Sequence, residues 1–418
     1  MDAAKSTDVR APEPQLEPQE MIARARALRP MVREEADAAE RRGYYSEALH
    51  HEFIKAGFYR CLQPRRFGGY EFDIRTFFKT MVEIASGDPG IGWCLCLASG
   101  HALQVGTNFS EAAQARIFGP DGHFIAPYSP SGPSPDAECV AVSGGYRVKG
   151  KWRYASGVPY ATHFMGMAPL KGSHPGGPTR KLVSVVVPRD QFEMLDDWHD
   201  MFGLRGSGSN SVVIKDAFIP EEFVDETIIG DDGAGNMPGV NVHGNPLYNG
   251  IFMAFGAGEL ACSQVGAAWA ALDEFEKHIR TTKPLLSSQP IFKYQHHDWQ
   301  RIFGLALART NAAEAILLRT GELYVEYAKA RTDGTGQFTD KETMLLMGMQ
   351  HQASRLAWEA GYDLFRASSS ASIRDGQPMQ RFFRDFATFR NNPVHQPDFA
   401  ATRIAQAYFG LPIQDFDL

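Results

Sequence analysis

The sequence predicts an α+β fold in which a helical unit, a β unit and a second helical unit follow one another along the chain. Apolar residues recur at helical spacing from residue 20 to about residue 57, and again from residue 247 onward. Between residues 123 and 230 short apolar runs alternate with turn residues, as in β-strands. These changes give the following units: a disordered tail at 1–19, an N-terminal helical domain at 20–122, a central β domain at 123–235 and a C-terminal helical bundle at 236–418.

The N-terminal helical unit follows a polar segment that Pro12, Pro14 and Pro18 interrupt, which predicts a loose tail. Gly57 is expected to end the second helix of this unit. The apolar, small-residue stretch at residues 91–106 predicts a further helix, and that helix carries His101.

In the β unit, the predicted strands are short runs rich in valine and aromatic residues. They are CVAVS from residue 139, YRVKGKW from residue 146, FMGMA from residue 164 and LVSVVV from residue 182. The first two lie at hairpin spacing, with Gly144 and Gly145 as the predicted turn.

The C-terminal unit shows long helical patterns of the kind that build a four-helix bundle. They cover residues 251–277, 295–327, 340–365 and 384–408.

Composition excludes several classes of protein. A chain of 418 residues with 44% apolar and 22% charged residues is typical of a soluble globular protein with more than one packed unit. The formal charge of −7 provides no excess of positive charge for binding nucleic acid. No apolar stretch is long enough to predict a membrane span, and the N-terminus lacks the apolar core of a signal peptide. The five cysteines form no CxxC pair, which predicts reduced thiols in a cytoplasmic protein.

Dinucleotide and metal motifs find no support in the sequence. GAGELA at residues 256–261 matches the GxGxxA pattern, but it lies within a helical run and lacks the preceding strand that the motif requires. We therefore expect close helix packing there. The adjacent histidines at 50–51 and 296–297 would point about 100° apart on a helix, and no HExxH occurs, so no metal site is predicted.

One segment carries a resemblance to a known family. Residues 198–220 read WHDMFGLRGSGSNSVVIKDAFIP, a glycine-rich loop followed by a strand and a turn. The segment resembles the "GLRGTGS…VFVP" element of the acyl-CoA dehydrogenase superfamily, whose layout also matches the order of the three units. The resemblance implies an N-terminal helical domain, a central β-barrel domain and a C-terminal four-helix bundle. It also implies a homotetramer formed through the bundles.

The same resemblance implies residues that bind flavin. The KWRYASG segment at residues 151–157 is similar to the superfamily segment that lies against the flavin ring. By this comparison Trp152 covers a face of the ring and Ser156 lies near flavin N5. The competing interpretation is a strand-end tryptophan that packs the β core beside an ordinary turn serine.

Arg280, Ser369 and Ser370 are further flavin-binding candidates implied by the resemblance. Superfamily members carry an arginine near the position of Arg280 that reaches the flavin phosphates of a neighbouring subunit. Ser369 and Ser370 precede an "R…RD" segment, where the superfamily has a small-residue turn beside the flavin. The alternatives are a cation at a helix C-terminus and an ordinary polar loop.

An acyl-CoA dehydrogenase needs a glutamate base, and both family positions for it are empty in this chain. Residues 386–397 contain no glutamate, and Glu259 lies past the expected place in the first long C-terminal helix. The resemblance therefore points to the branch of two-component flavin-dependent monooxygenases. These enzymes receive reduced FMN or FAD from a separate NAD(P)H:flavin reductase and bind O2 as a flavin C4a-hydroperoxide. They oxidise phenolic-type aromatic molecules or heteroatoms.

In this branch, a histidine of the C-terminal loop assists the reaction with O2. His395 is the candidate here, although a gapless comparison puts Asn392 at that place. His101 and Ser131 lie where aromatic hydroxylases of the branch hold a substrate phenol, or else they are satisfied structural polar groups. Two other hypotheses stay open: an acyl-CoA dehydrogenase with a relocated base, and a flavin-free structural or binding protein with the same fold.

Overall fold

The computed structural model describes residues 9–129, 133–171, 182–226, 235–285, 291–392 and 397–413. Its N-terminal part is helical. The helices are α1 (Pro18–Arg42), α2 (Glu47–Ala56), α3 (Ile74–Ala85), α4 (Pro89–Ser99), α5 (Ala102–Asn108) and α6 (Glu111–Phe118). Several of them begin where a side-chain oxygen accepts a hydrogen bond from a backbone N–H of the first turn. These N-caps are Ser46, Asp73, Asp88 and Ser110.

The segment before α1 is ordered from residue 9, so the prediction of a disordered tail is wrong for residues 9–17. Val9 N donates to Arg66 O at 3.1 Å, and Leu16 is buried in the helical core. Glu13 pairs with Arg24 of α1 at 2.8 Å. The prolines shape this segment into a turn that packs against the helices, because contacts made by its apolar and charged residues offset the entropy of ordering it.

In the described part of the β domain, strands form two sheets with the orders β1-β4-β5-β8 and β2-β3-β7-β6. The strands are β1 (Tyr128–Ser129), β2 (Glu138–Val142), β3 (Gly145–Trp152), β4 (His163–Pro169), β5 (Leu182–Pro188), β6 (Glu193–Met194), β7 (Val212–Pro220) and β8 (Val224–Asp225). A bridge between Cys139 and Leu170 connects the two sheets. The β2–β3 hairpin pairs Val142 with Gly145, so its turn is one residue earlier than predicted, with Gly144 at a φ of 80°.

The C-terminal part is again helical. Its helices are α7 (Pro238–His243), α8 (Phe252–Thr281), α9 (His297–Thr332), α10 (Asp340–Ala367), α11 (Pro378–Arg390) and α12 (Pro397–Phe409). Helices α8 to α11 pack together as the bundle. The prediction of a single fourth helix over residues 384–408 is wrong. The observed helix α11 begins earlier and ends at Arg390, because Asn392 precedes a proline and is disfavoured in helical conformation.

Helix α8 is the bundle helix that packs against the N-terminal helices α3 and α4, and its small residues allow close contact. A Cβ on Gly258 would lie 2.4 Å from the Phe78 ring, and one on Gly266 would lie 2.4 Å from Ala85 Cβ. The GAGELA motif is thus a packing surface within α8, as predicted. In the described residues no helix has the length and hydropathy to cross a bilayer, and no cluster of metal-ligating side chains occurs.

Candidate functional site

The glycine-rich loop before β7 packs against the turn that follows β3. Gly157 N donates to Gly208 O at 3.1 Å, and the two residues have φ values of 90° and 57°. Such positive φ angles favour glycine. A Cβ on Gly157 would lie 2.7 Å from Cys94 O, so the turn also contacts α4 directly. Glycines therefore let two loops and a helix meet at one place.

Three buried serine hydroxyls form a hydrogen-bonded chain at this meeting point. Ser156 Oγ lies 2.6 Å from Ser209 Oγ, which lies 2.6 Å from Ser207 Oγ. Three hydroxyls carry three protons, and two hydrogen bonds use two of them. One hydroxyl proton is therefore left over, and it can be donated to an acceptor other than these three serines. The sequence resemblance pointed to Ser156, whereas its two partners come from the loop and become visible only in the structure.

Trp152 and Tyr154 take different positions, although they are two residues apart. Trp152 has no exposed surface, donates from Nε1 to Met167 O at 2.7 Å and packs on Phe164 with ring centroids 5.7 Å apart. The structure therefore places Trp152 in the β core, where it cannot cover a ligand. Tyr154 is 57% exposed at a φ of 58° and packs edge-on against Trp198. The aromatic surface beside Ser156 belongs to Tyr154.

His101 lies at the start of α5 and is buried. Its Nδ1 is 2.7 Å from Ala126 O, and because a carbonyl only accepts, Nδ1 carries the proton. Burial lowers the pKa of His101 to about 4, so the ring is neutral and Nε2 is an acceptor. Glu259 Oε2 of α8 lies 3.6 Å from that Nε2. Nδ1 is thus satisfied by Ala126 O, and the backbone of Leu97 also lies close enough to the ring to raise its pKa.

The Ser156 turn and His101 lie on either side of the C-terminal end of α4. A Cβ on Gly157 would be 2.9 Å from Ala98, and Ala98 O accepts from Ala126 N at 3.2 Å. Ala126 O in turn accepts from His101. The structure therefore brings these two predicted site residues together. Ser131 lies outside the described residues.

Arg280, Ser369 and Ser370 lie elsewhere in the chain. Arg280 is in the last turn of α8 and pairs with Glu276 at 2.7 Å. The 21 residues from Glu259 to Arg280 correspond to about 30 Å along the helix. Ser369 and Ser370 follow α10, and neither forms a hydrogen bond to the Ser156 turn within the described residues. A role of Arg280 at a flavin beside Ser156 would therefore require a second subunit, as the resemblance implied for this residue.

Two residues of α11, which belong to the "R…RD" segment, hold the glycine-rich loop. Asp385 Oδ1 accepts from Leu204 N at 2.6 Å, and Arg384 Nη1 donates to Phe202 O at 2.9 Å. A Cβ on Gly203 would lie 2.1 Å from Arg384 O. The "RD" pair thus positions the loop that carries Ser207 and Ser209.

Buried carboxyls and arginines form a charged cluster beneath this loop. Asp88 Oδ2 lies 3.7 Å from Arg381 Nη1, and Arg384 pairs with Glu40 at 2.8 Å. Burial, with the negative charge of Glu40, raises the pKa of Asp88 to about 7. Burial, with the negative charge of Asp88, raises the pKa of Asp385 well above its usual range. Burial in this cluster therefore favours the protonated form of Asp88 and of Asp385.

Asp88→Asn is expected to remove part of the pH dependence of stability. The stability that a raised carboxyl pKa contributes is complete below pH 3.8, the ordinary value, and is lost as pH rises through about 7. Between pH 5 and 7 the wild-type free energy of unfolding should therefore fall by up to about 1.4 kcal/mol per pH unit relative to the variant. Asparagine keeps the N-cap of α4. Urea denaturation across this range measures the difference, with Asp73→Asn at the exposed N-cap of α3 as the control. The same dependence of the free energy of unfolding on pH in wild type and in Asp88→Asn would contradict this prediction.

Comparison with known proteins relates this architecture to a family. The sequence model described as acyl-CoA dehydrogenase, C-terminal domain, matches residues 259–397. The crystal structure of 3-HSA hydroxylase from Rhodococcus sp. RHA1 matches with a TM-score of 0.82 and 26% sequence identity, covering 95% of this chain and 98% of that chain. The resemblance of this chain to the acyl-CoA dehydrogenase superfamily is confirmed. The predicted fold class is confirmed.

Two relatives match over most of their length. The flavin-dependent monooxygenase, oxygenase subunit HsaA, of Rhodococcus jostii (strain RHA1) is 28% identical over 395 residues, which cover 93% of this chain and 98% of that protein. The FADH(2)-dependent resorcinol hydroxylase, oxygenase component, of Rhizobium sp. (strain MTP-10005) is 27% identical over 365 residues, with 85% of each chain covered. These relatives are oxygenase components rather than dehydrogenases.

Proposed function

We propose that this chain is the oxygenase component of a two-component flavin-dependent monooxygenase. It uses reduced FMN or FAD and O2 to hydroxylate a phenolic-type aromatic molecule or to oxidise a heteroatom. The observation that carries the proposal is the similarity, over most of both chains, to oxygenase components of such enzymes. Glu259, the carboxyl beside His101, is buried, and burial raises its pKa well above its usual range, which disfavours the ionised form. An acyl-CoA dehydrogenase with a relocated base would need an ionised carboxylate there. The oxygenase names of the full-length relatives agree.

The residues around Ser156 fit a planar flavin. The serine chain has one spare hydroxyl proton that can be donated to a ring nitrogen. Tyr154 and Phe202 are 57% and 54% exposed, which is unusual for large aromatic side chains and gives a ring something to stack on. Reduced flavin, when bound, supplies the electrons that activate O2. Ser156 would hold a ring nitrogen, and Tyr154 would cover a ring face in place of Trp152.

A separate NAD(P)H:flavin reductase is the proposed source of reduced flavin. The GAGELA motif lies inside α8 with no strand before it, so it cannot present a phosphate-binding turn. The oxygenase subunit name of the HsaA relative agrees with a reductase on another chain.

The substrate side of the site is formed by His101, with Ser131 as a further candidate from the sequence. The His101 ring lies 5.6 Å from the ring of Tyr128 and 5.7 Å from that of Phe252, and these two rings are 5.6 Å apart. These rings pack against one another and form one aromatic cluster beside His101, and an aromatic surface of this kind suits contact with a flat, largely apolar molecule. The substrate is therefore an aromatic small molecule.

The proposed assembly is a cytoplasmic homotetramer formed through the C-terminal bundles. It would bring Arg280, Ser369 and Ser370 to the flavin of a neighbouring subunit. Exposed apolar side chains on helices α9, α10 and α12 suit such contacts. They include Leu305, Leu307, Leu345, Tyr362, Tyr408 and Phe409. Light scattering after size exclusion tests the tetramer.

The deciding experiment supplies reduced flavin to the purified protein under anaerobic conditions and then mixes it with O2 and an aromatic substrate. A monooxygenase gives hydroxylated product in proportion to the O2 consumed. Anaerobic bleaching of oxidised flavin by an acyl-CoA would instead indicate a dehydrogenase. A protein that binds neither reduced FMN nor reduced FAD would be a flavin-free member of the fold.

Ser156→Ala is expected to uncouple O2 consumption from product formation. The substitution removes the hydroxyl nearest the proposed ring nitrogen. A lost hydrogen bond of about 1–2 kcal/mol corresponds to a roughly five- to thirty-fold higher ratio of H2O2 to product. Flavin affinity should change little. Ser207 is the serine furthest from Ser156 in the hydrogen-bonded row of hydroxyls. Ser207→Ala is therefore the control and should have a smaller effect. An unchanged ratio in Ser156→Ala would remove Ser156 from the mechanism.

A further inference from the structure

The glycine-rich loop contains a leucine whose backbone conformation is unfavourable for a residue with a side chain. Leu204 has a φ of 52°, in the left-handed region. Such a conformation persists only where the surrounding structure holds it in place. The buried N–H of Leu204 donates to Asp385 Oδ1 of α11 at 2.6 Å. Asp385 is therefore one of the side chains that hold the loop in this shape.

Three helices enclose the rest of this loop. Gly208 N donates at 2.7 Å to the carbonyl of Gly43, the residue that follows α1. A Cβ on Gly90, in the first turn of α4, would lie only 3.2 Å from Gly206 N. Asp385 provides the contact from α11. A change in the spacing of α1, α4 and α11 would therefore displace the loop and the serine hydroxyls that it carries.

The charged groups between these helices do not balance when every carboxyl is ionised. Within the described part of the chain, three carboxyls and two guanidinium groups meet there and are at most 16% exposed, namely Glu40 of α1, Asp88 of α4, and Arg381, Arg384 and Asp385 of α11. Asp37 of α1 also contacts Arg381, but its side chain is 54% exposed, and Arg205 of the loop is exposed, so solvent screens both charges. Three carboxylates exceed two guanidinium groups by one negative charge, and one bound proton restores neutrality.

Asp88 and Asp385 are the carboxyls best placed to retain that proton. Asp88 Oδ1 accepts from Ile91 N at 3.0 Å, whereas Asp88 Oδ2 is buried without a hydrogen-bond partner and lies 3.7 Å from Arg381 Nη1. A buried carboxyl oxygen that receives no hydrogen bond disfavours the ionised form. Burial also raises the pKa of Asp385, and the negative charge of Asp88 raises it further. Ionisation of either carboxyl therefore opposes ionisation of the other.

We propose that Asp385 is a positioning residue for the flavin site, and that a proton shared by Asp385 and Asp88 holds the glycine-rich loop in its closed conformation. This inference rests on the proposed function for its effect on flavin. When the loop opens, water reaches both carboxyls, and they ionise at their ordinary pKa values of about 4. Opening therefore releases the shared proton. The loop opens more readily as pH rises, and a bound flavin is released faster.

Hydrogen–deuterium exchange of the backbone amides at 203–209, in the full chain without added flavin, measures the opening of the loop. Because the raised pKa of Asp88 is about 7, the stabilisation by the proton is complete below the ordinary value of 3.8 and is lost as pH rises through about 7. The protection factor is corrected for the intrinsic rate of exchange. In wild type it should fall by up to about ten-fold for each pH unit between pH 5 and 7.

Asp88→Asn and Asp385→Asn should each remove this pH dependence, because the two carboxylates that remain balance the two arginines. Asparagine keeps a side-chain oxygen that can accept the same backbone hydrogen bond. Asp197→Asn is the matched control, because Asp197 Oδ1 also accepts from a backbone N–H of this loop, that of Ser211, at 2.8 Å. Asp197 lies outside the charged cluster, so this variant should keep the wild-type pH dependence.

The effect on the flavin site is tested by the release of oxidised FMN or FAD from the loaded protein, followed by stopped-flow fluorescence after dilution. The release rate of wild type is divided by that of Asp88→Asn at the same pH, which cancels any titration of the flavin itself. This ratio should rise by up to about ten-fold for each pH unit between pH 5 and 7, because release follows the opening of the loop.

Several results would overturn the proposal. A protection factor that is independent of pH in wild type would do so whether or not the variants fold. Equal pH dependence in wild type and in both asparagine variants would also contradict the shared proton. A constant ratio of release rates would show that Asp385 does not position the flavin site. A pH-linked loop in a protein that binds neither FMN nor FAD would instead contradict the proposed monooxygenase function and leave the shared proton standing.

Discussion

Trp152→Ala should lower the free energy of unfolding by about 3–5 kcal/mol, the cost of removing a large aromatic side chain from a packed core. Trp152 is fully buried between the two sheets and packs on Phe164. Its indole N–H donates to Met167 O at 2.7 Å, so the substitution also leaves a buried carbonyl without its donor. Urea denaturation followed by circular dichroism measures the loss. Trp152→Phe should have an intermediate effect, because it keeps most of the volume.

Tyr154→Ala is the matched variant, two residues further along the chain. Tyr154 is more than half exposed, so its loss should change the free energy of unfolding by no more than about 0.5 kcal/mol. Binding of reduced flavin should weaken by about ten-fold, since a stacked ring contributes roughly 1 kcal/mol or somewhat more. If Trp152→Ala leaves stability unchanged and weakens flavin binding instead, the tryptophan is the ligand-facing residue and the two assignments must be exchanged.

His395→Asn should slow the reaction of protein-bound reduced flavin with O2 by about 10–100-fold, with flavin affinity nearly unchanged. His395 lies outside the described residues, and the expectation comes from its sequence position between two prolines after the Arg384–Asp385 pair. A histidine can be protonated near neutral pH, because its unperturbed pKa is about 6.5. Positive charge there would stabilise the negative charge that O2 gains from the flavin.

Asn392→Ala is the control for His395→Asn, since a gapless family comparison favours position 392. Asn392 follows α11, and its backbone N–H donates to Phe389 O at 2.9 Å. A wild-type rate in His395→Asn together with a slow rate in Asn392→Ala would move the role to Asn392. Wild-type rates in both variants would show that this loop takes no part in the reaction with O2. Stopped-flow absorbance of the bound flavin measures both.

The roles of individual residues were harder to predict than the elements that carry them. The KWRYASG segment was placed correctly at a strand end, but which of its aromatic rings faces outward depends on the twist and register of β3 against β7. That register places Trp152 opposite Val212 within the core and lets the chain leave the sheet before Tyr154. Arg280 is a similar case. Its helix was predicted, but only the length of α8 shows that it is far from His101 in the same chain.

The sequence by itself determined the three-unit α+β layout, the glycine-rich loop at residues 198–220 and the rejection of the GAGELA motif as a dinucleotide site. These features depend on periodicity and on local backbone preferences, which neighbouring residues carry. Only the tertiary structure decided which side chains meet. Glu259 and His101 are 158 residues apart in the sequence, and they approach each other because Gly100 leaves room where α8 crosses α4. Such a contact depends on packing between distant segments, and no local pattern in the sequence records it.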